Sequence, residues 1–122
     1  LTQKMMRIIA ANNPEADILI CAHQNIIELR RYLASRNYSL LHEELLMENG
    51  KYYEILLLNE EKGEDYDTVT QTGSIIWANY NSNHHNYLNQ QIEYLNRATE
   101  FKEDEYLTSL KTAYMGLYKS LD

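Results

Sequence analysis

The chain has 122 residues, 44% hydrophobic and 24% charged, with four glycines and one proline. That composition fits one modest globular domain and excludes a disordered or turn-built chain. A net charge of -7 argues against tight nonspecific binding to nucleic acid or to an anionic membrane surface.

No apolar stretch approaches the roughly 18 residues of a membrane span, and no signal peptide is visible. Cys21 is the single cysteine and sits in an apolar run, so the sequence points to a reducing, cytoplasmic setting. Charge is uneven along the chain. Residues 1–36 carry five basic side chains against three acidic ones, whereas the rest carries six against fifteen. Any contact with phosphate is therefore expected in the first third. Eleven tyrosines against one phenylalanine imply half-buried, wet surfaces as much as a dry core.

The first twelve residues have helical periodicity, with Leu1, Met5, Ile8, Ile9 and Asn12 on one face and Pro14 as the stop. No capping residue precedes Leu1, which suggests a fragment of a longer protein. Asp17-Ile18-Leu19-Ile20-Cys21 has the pattern of a buried parallel strand. Asn25, with Glu28 three residues on, resembles a capping box for a helix bearing Ile26, Leu29, Tyr32 and Leu33 on one side. Arg30, Arg31 and Arg36 lie largely away from that side. Residues 38–47 read as a strand ending in the turn Glu48-Asn49-Gly50-Lys51, and Tyr52–Leu58 returns, apolar on both faces. That two-sided apolar character predicts that 52–58 lies between the 18–21 strand and the 38–47 strand, with 38–47 at the edge. Glu60 to Thr72 is polar and turn-rich, the composition of a linker.

In the last third Tyr80, Tyr87, Tyr94 and Phe101 recur every seven residues beside Leu88, Ile92 and Leu95. After the charged break at 102–105, Leu107, Leu110, Tyr114, Leu117 and Leu121 step by three and four. Two amphipathic helices, 83–98 and 104–120, are predicted to form an antiparallel hairpin with Phe101 closing its end. The resulting divisions are 1–60 for the α/β part, 61–82 for a linker and 83–122 for the hairpin.

Several constellations have bland readings that outweigh the sharp ones. His84-His85 suggests a metal, but neighbouring helical residues point about 100° apart, and neither has a cysteine or carboxylate at i+3 or i+4. Cys21 beside His23 suggests a nucleophile, but it ends a buried strand, where cysteine commonly serves as a small hydrophobe. The tyrosine series suggests a base-stacking platform, but seven-residue spacing is also that of a packing seam. Glu43-Glu44 and the acidic run 60–65 are read as solvated surface. Gly-x-Gly-x-x-Gly and P-loop motifs are absent. The polar loop Ala22-His23-Gln24-Asn25 is the most informative segment, because ligands of open α/β sheets bind beyond the carboxyl ends of strands.

The order of elements resembles the second half of a class I S-adenosylmethionine-dependent methyltransferase. Ile18-Leu19-Ile20-Cys21-Ala22-His23-Gln24-Asn25 followed by Glu28-Leu29-Arg30-Arg31-Tyr32-Leu33 is similar to the bacterial tRNA (adenine-N1) methyltransferase family called TrmK. So are Glu43-Glu44-Leu45, the stretch Glu48-Asn49-Gly50-Lys51-Tyr52-Tyr53-Glu54-Ile55, and Gly73-Ser74-Ile75-Ile76 leading into a helical tail. The family's Gln-Pro-Asn is Ala-His-Gln-Asn here.

The resemblance implies an α/β fold: half of a Rossmann-like methyltransferase sheet (parallel strand plus antiparallel hairpin), then a coiled-coil-like antiparallel helical hairpin. It implies methyl transfer from S-adenosylmethionine to N1 of adenine twenty-two in tRNA, with the cofactor held mainly by residues upstream of Leu1. The chain alone is then expected neither to bind the cofactor nor to be active. The base must leave its stack, and its own N1 lone pair attacks, so positioning dominates the chemistry. By the same resemblance His23, Gln24 and Asn25 line the base pocket. Arg30, Arg31 and Arg36 contact tRNA phosphates, and the hairpin braces the tRNA or mediates self-association or a protein contact. The rival reading is a noncatalytic α/β interaction module whose hairpin binds a protein, for which the acidic tail and the missing glycine loop speak.

Overall fold

The computed structural model describes residues 18–36, 38–59 and 67–121. The helix expected over 1–12 and the acidic run 60–65 lie outside them. The chain divides into two compact units, one ending at Ala78 and one beginning at Asn79.

The first unit holds β1 (Ile18–Ala22), α1 (Ile26–Arg36), β2 (Ser39–Glu48), β3 (Lys51–Asn59), the two-residue β4 (Asp67–Thr68) and a short 3-10 turn at Ile75–Trp77. The sheet order is β1-β3-β2-β4. β3 is central, as its two-sided apolar sequence requires, and Ile55 through Leu58 are fully buried. β2 is otherwise the outer strand, with β4 covering only Ser39 and Leu40. Asn49 (φ 52) and Gly50 (φ 75) both take left-handed backbone in the turn joining β2 to β3. That geometry matches the right-handed twist of the strands it connects.

One expectation is met only in part. Among the described residues no strand has a parallel partner: β1 pairs antiparallel with β3, from Ile18 opposite Leu58 to Ala22 opposite Glu54. β1 is also only half-buried, with Cys21 exposed, so its apolar run reports neither full burial nor the direction of its partner. β1 and β2 run the same way because both oppose β3.

A bulge in β2 decides which side chains face α1. Leu40 opposes Leu58 and His42 opposes Leu57, so the extra residue Leu41 shifts the phase of everything after it. Unbroken alternation from Leu40 would send Glu44 inward. With the bulge it is Glu43 that joins Leu40, Glu54, Leu56 and Leu58 on the α1 face. Leu33 of α1 packs there with Leu40, Leu56, Leu58 and Val69, flanked by Ile18, Ile20 and Leu29. The opposite face carries Leu46 and Ile55 with Leu19 and Tyr53.

Part of the expected linker is structured. Residues 67–68 form β4, Val69 enters the core, and the 3-10 turn packs on β2. Trp77 Nε1 donates to the Thr72 carbonyl at 3.0 Å and folds this segment on itself.

The second unit is a helical hairpin, α2 (Ser82–Glu100) and α3 (Glu105–Leu121). His85 near the start of α2 lies 5.5 Å from Tyr118 near the end of α3, so the helices are antiparallel. Leu88 and Leu95 of α2 and Leu110 and Tyr114 of α3 are buried, as are Tyr87 and Gln91, whose side chains hydrogen-bond to each other at 3.1 Å, while Ile92, Leu107 and Leu117 are half-buried. The tyrosine series does not share one face. Seven residues fall about 20° short of two full helical turns, and Tyr87 is buried whereas Tyr94 is 46% exposed. Phe101 does not close the hairpin. It is the C-cap of α2 and is 88% exposed.

Candidate functional site

The loop His23-Gln24-Asn25 leaves the carboxyl end of β1 and is exposed throughout. Asn25 has φ 56, a left-handed conformation that asparagine tolerates better than most residues. A side-chain N-cap takes extended backbone, so the capping box expected at Asn25 gives way to a tighter arrangement. The Asn25 carbonyl accepts from Leu29 N at 3.0 Å, and α1 starts without a linear approach. The chain thereby turns sharply from strand to helix and presents residues 23–25 at the rim. His23 meets Tyr53 of β3 edge to face, with ring centroids 5.2 Å apart. Cys21 lies nearby and exposed, and partial burial pushes its thiol up, away from the thiolate a nucleophile requires.

The arginines separate into two groups. Arg31 and Arg36 are on the exposed side of α1, and the Arg36 guanidinium sits 5.2 Å from the centre of the Tyr32 ring. Tyr32 is 50% exposed, so the pair presents a cation and an aromatic face to solvent. Arg30 is different. It is 0% exposed and cannot reach a phosphate. Its Nε donates to Glu54 Oε1 at 2.7 Å, its Nη2 to Glu43 Oε2 at 2.8 Å, and its Nη1 to the Thr70 carbonyl at 2.8 Å. The other Glu43 oxygen accepts from the backbone N–H of Ser74 and, at 3.0 Å, from that of Ile76.

Glu43 is therefore not the solvated residue its sequence neighbourhood suggested. Burial disfavours the Arg30 charge, but Glu54 and Glu43 more than offset this and keep the guanidinium protonated. Burial would likewise raise the Glu43 carboxyl. The Arg30 charge and the N–H bonds from Ile76 and Ser74 outweigh it and hold the carboxyl below its usual range. Gly73 (φ +88) completes the cluster, since a Cβ there would lie 2.5 Å from Ile76 Cγ2 and 3.1 Å from Arg30 Nη2.

The adjacent histidines of the hairpin have local duties. Asn81 and His84 form a capping box: the Asn81 side chain accepts from the backbone N–H of Asn83 and His84, and His84 Nδ1 accepts from Asn81 N at 3.2 Å. His85 has both ring nitrogens engaged, Nδ1 with Tyr80 Oη at 3.3 Å and Nε2 with the Asn89 amide at 3.1 Å.

The chain matches the family profile of TrmK, described as tRNA (adenine(22)-N(1))-methyltransferase, over residues 2–113. The chain belongs to the TrmK family. Among solved structures it is similar to TrmK of M. capricolum, determined with the natural cofactor product S-adenosyl-homocysteine, at 20% sequence identity and a TM-score of 0.50. That likeness covers 98% of this chain and 53% of the other, so the chain spans about half the length of that TrmK. No curated protein matches it.

Arg30, Glu43 and Glu54 all lie within the span that matches the family profile, and they meet at one point in space. Tyr53 and Glu54 were missed as partners of the site. The signal was present, because a lone carboxylate in a strand apolar on both faces requires a cation to meet it.

Proposed function

We propose that this chain is the base-side half of a tRNA (adenine-N1) methyltransferase acting on adenine 22. The observation that carries the proposal is the loop His23-Gln24-Asn25 standing over Tyr53 at the carboxyl end of β1, in a chain of the TrmK family. His23, Gln24 and Asn25 offer exposed donors and acceptors suited to the edge of an extruded adenine, and Tyr53 supports His23 from below. The Arg36–Tyr32 pair, with Arg31, supplies a sequence-independent contact to the tRNA backbone. S-adenosylmethionine is the methyl donor this family implies. The described residues do not fit it: Gly50 closes a hairpin, Gly73 packs on Arg30 and Gly116 lies within α3, so none opens a glycine loop for the cofactor's adenosine. No cofactor contact is assigned to them, and the cofactor is held mainly by residues outside this chain.

Beyond the acidic tail and the missing glycine loop, no contact among the described residues favours the rival protein-binding module. The polypeptide carrying this chain should methylate tRNA; His23→Ala should lower kcat without lowering the melting temperature, whereas Tyr53→Ala, which also removes packing against Leu46 and Ile55, should lower both. Undiminished kcat in both variants would reject the base-side assignment.

A further inference from the structure

Glu54 does two things at once. Its backbone lies opposite Ala22, the last residue of β1, and its carboxylate accepts from Arg30 Nε at 2.7 Å. The segment from Ala22 to Arg30 is therefore held at both ends by a single residue of β3. Between those ends lie His23, Gln24, left-handed Asn25 and the first turn of α1. Tyr53, the ring partner of His23, is the adjacent residue in the same strand. Glu43 joins the same guanidinium, but its other oxygen serves the 74–76 segment, and it sits on β2, away from β1.

We infer that Glu54, acting through Arg30, is a positioning residue that fixes the 23–25 loop over Tyr53 for methyl transfer. The inference rests on the functional assignment above for its role, though not for its geometry. A buried ion pair contributes little net stability against an apolar replacement, but once formed it specifies one arrangement. Here that arrangement is the mouth of the loop. Glu54 is only 2% exposed, so its influence passes through the course of the backbone from Ala22 to Arg30.

The test compares Glu54→Gln with Glu43→Gln, which disturbs the same cluster from the side remote from the loop. The first readout is the His23 ring resonance, assigned by its loss in His23→Gln and shifted by the neighbouring Tyr53 ring. Glu54→Gln should move it toward the value of a free histidine, while Glu43→Gln should leave it in place even with an equal fall in melting temperature. The second readout is tRNA methylation. Glu54→Gln should lower kcat by about 10- to 100-fold with KM for tRNA changed less than about twofold, the pattern of misplaced rather than lost binding. If Glu54→Gln does not fold, Glu54→Asp serves with the same readouts. A His23 resonance that stays put in the Glu54 variant, or moves equally in both variants, overturns the positioning role. Should the unsubstituted protein fail to methylate tRNA, the functional assignment fails and the His23 resonance alone decides the positioning role.

Discussion

Arg30 and Glu54 form a buried ion pair, 2.7 Å between Nε and Oε1, with side chains 0% and 2% exposed. Glu43 joins the same guanidinium at 2.8 Å and is also fully excluded from water. One cation thus ties α1 to two strands and, through Thr70, to the segment that precedes the 3-10 turn. Removing it should be costly. Arg30→Ala leaves two buried carboxylates without their partner and should destabilise the first unit by about 3–5 kcal/mol. Arg31→Ala, one position along and exposed, should cost no more than about 0.5 kcal/mol. Urea unfolding checks both, and equal effects would mean that the cluster is not the anchor its geometry indicates.

The cluster also sets an acid limit. The Glu43 carboxyl is held below its ordinary value of about 4.5, so the folded state binds its proton less readily than the unfolded chain. Its stabilisation is complete above that ordinary value and is lost as pH falls through the lower, folded value. Melting temperature should therefore drop from about pH 5 to about pH 3 in the native chain, and less steeply in Glu43→Gln, which starts lower. Identical slopes would assign the acid sensitivity to other groups.

Phosphate contact is expected from Arg31 and Arg36, not from Arg30. Arg36→Ala should weaken tRNA binding and reduce the slope of log affinity against log salt by about 1, with the melting temperature unchanged. Tyr32→Ala should weaken binding in the same assay, because the exposed ring holds the guanidinium in place. Unaltered salt dependence in Arg36→Ala would move the phosphate contacts elsewhere.

The hairpin seam predicts its own asymmetry. Leu110 is buried against α2, and Leu110→Ala should cost about 2–5 kcal/mol. Thr108→Ala, on the exposed side of the same helix, should cost less than about 0.5 kcal/mol. Small, equal effects on the hairpin's unfolding transition would mean that the seam does not hold it.

Much of this architecture was legible from pattern. The apolar character of 52–58 placed β3 at the centre, Asn49-Gly50 marked the turn, and the three-four stepping of leucines drew the hairpin. What stayed hidden depended on phase and on pairing across distance. The bulge at Leu41 inverts the facing of Glu43, and nothing in the residues 39–48 announces it. The neighbour of the 18–21 strand was legible as 52–58 from the two apolar faces of the latter. The direction of Ile18–Ala22, however, is set by the chain it meets and was not readable from its five residues. Arg30 looked outward by helical spacing because apolar periodicity does not foresee a guanidinium turned inward by two carboxylates. Of the candidate site, His23, Gln24 and Asn25 were found as an exposed loop, whereas Tyr53 beside them required the fold.

The central claim concerns one atom of one base, and one assay addresses it. The polypeptide carrying this chain would be given S-adenosylmethionine and two tRNA transcripts, one with adenine at position 22 and one with guanine there. The modified products would then be mapped by mass spectrometry. The account predicts N1-methyladenine at position 22 in the first transcript and no methylation in the second. Equal methylation of both transcripts, or modification confined to another position, would contradict it.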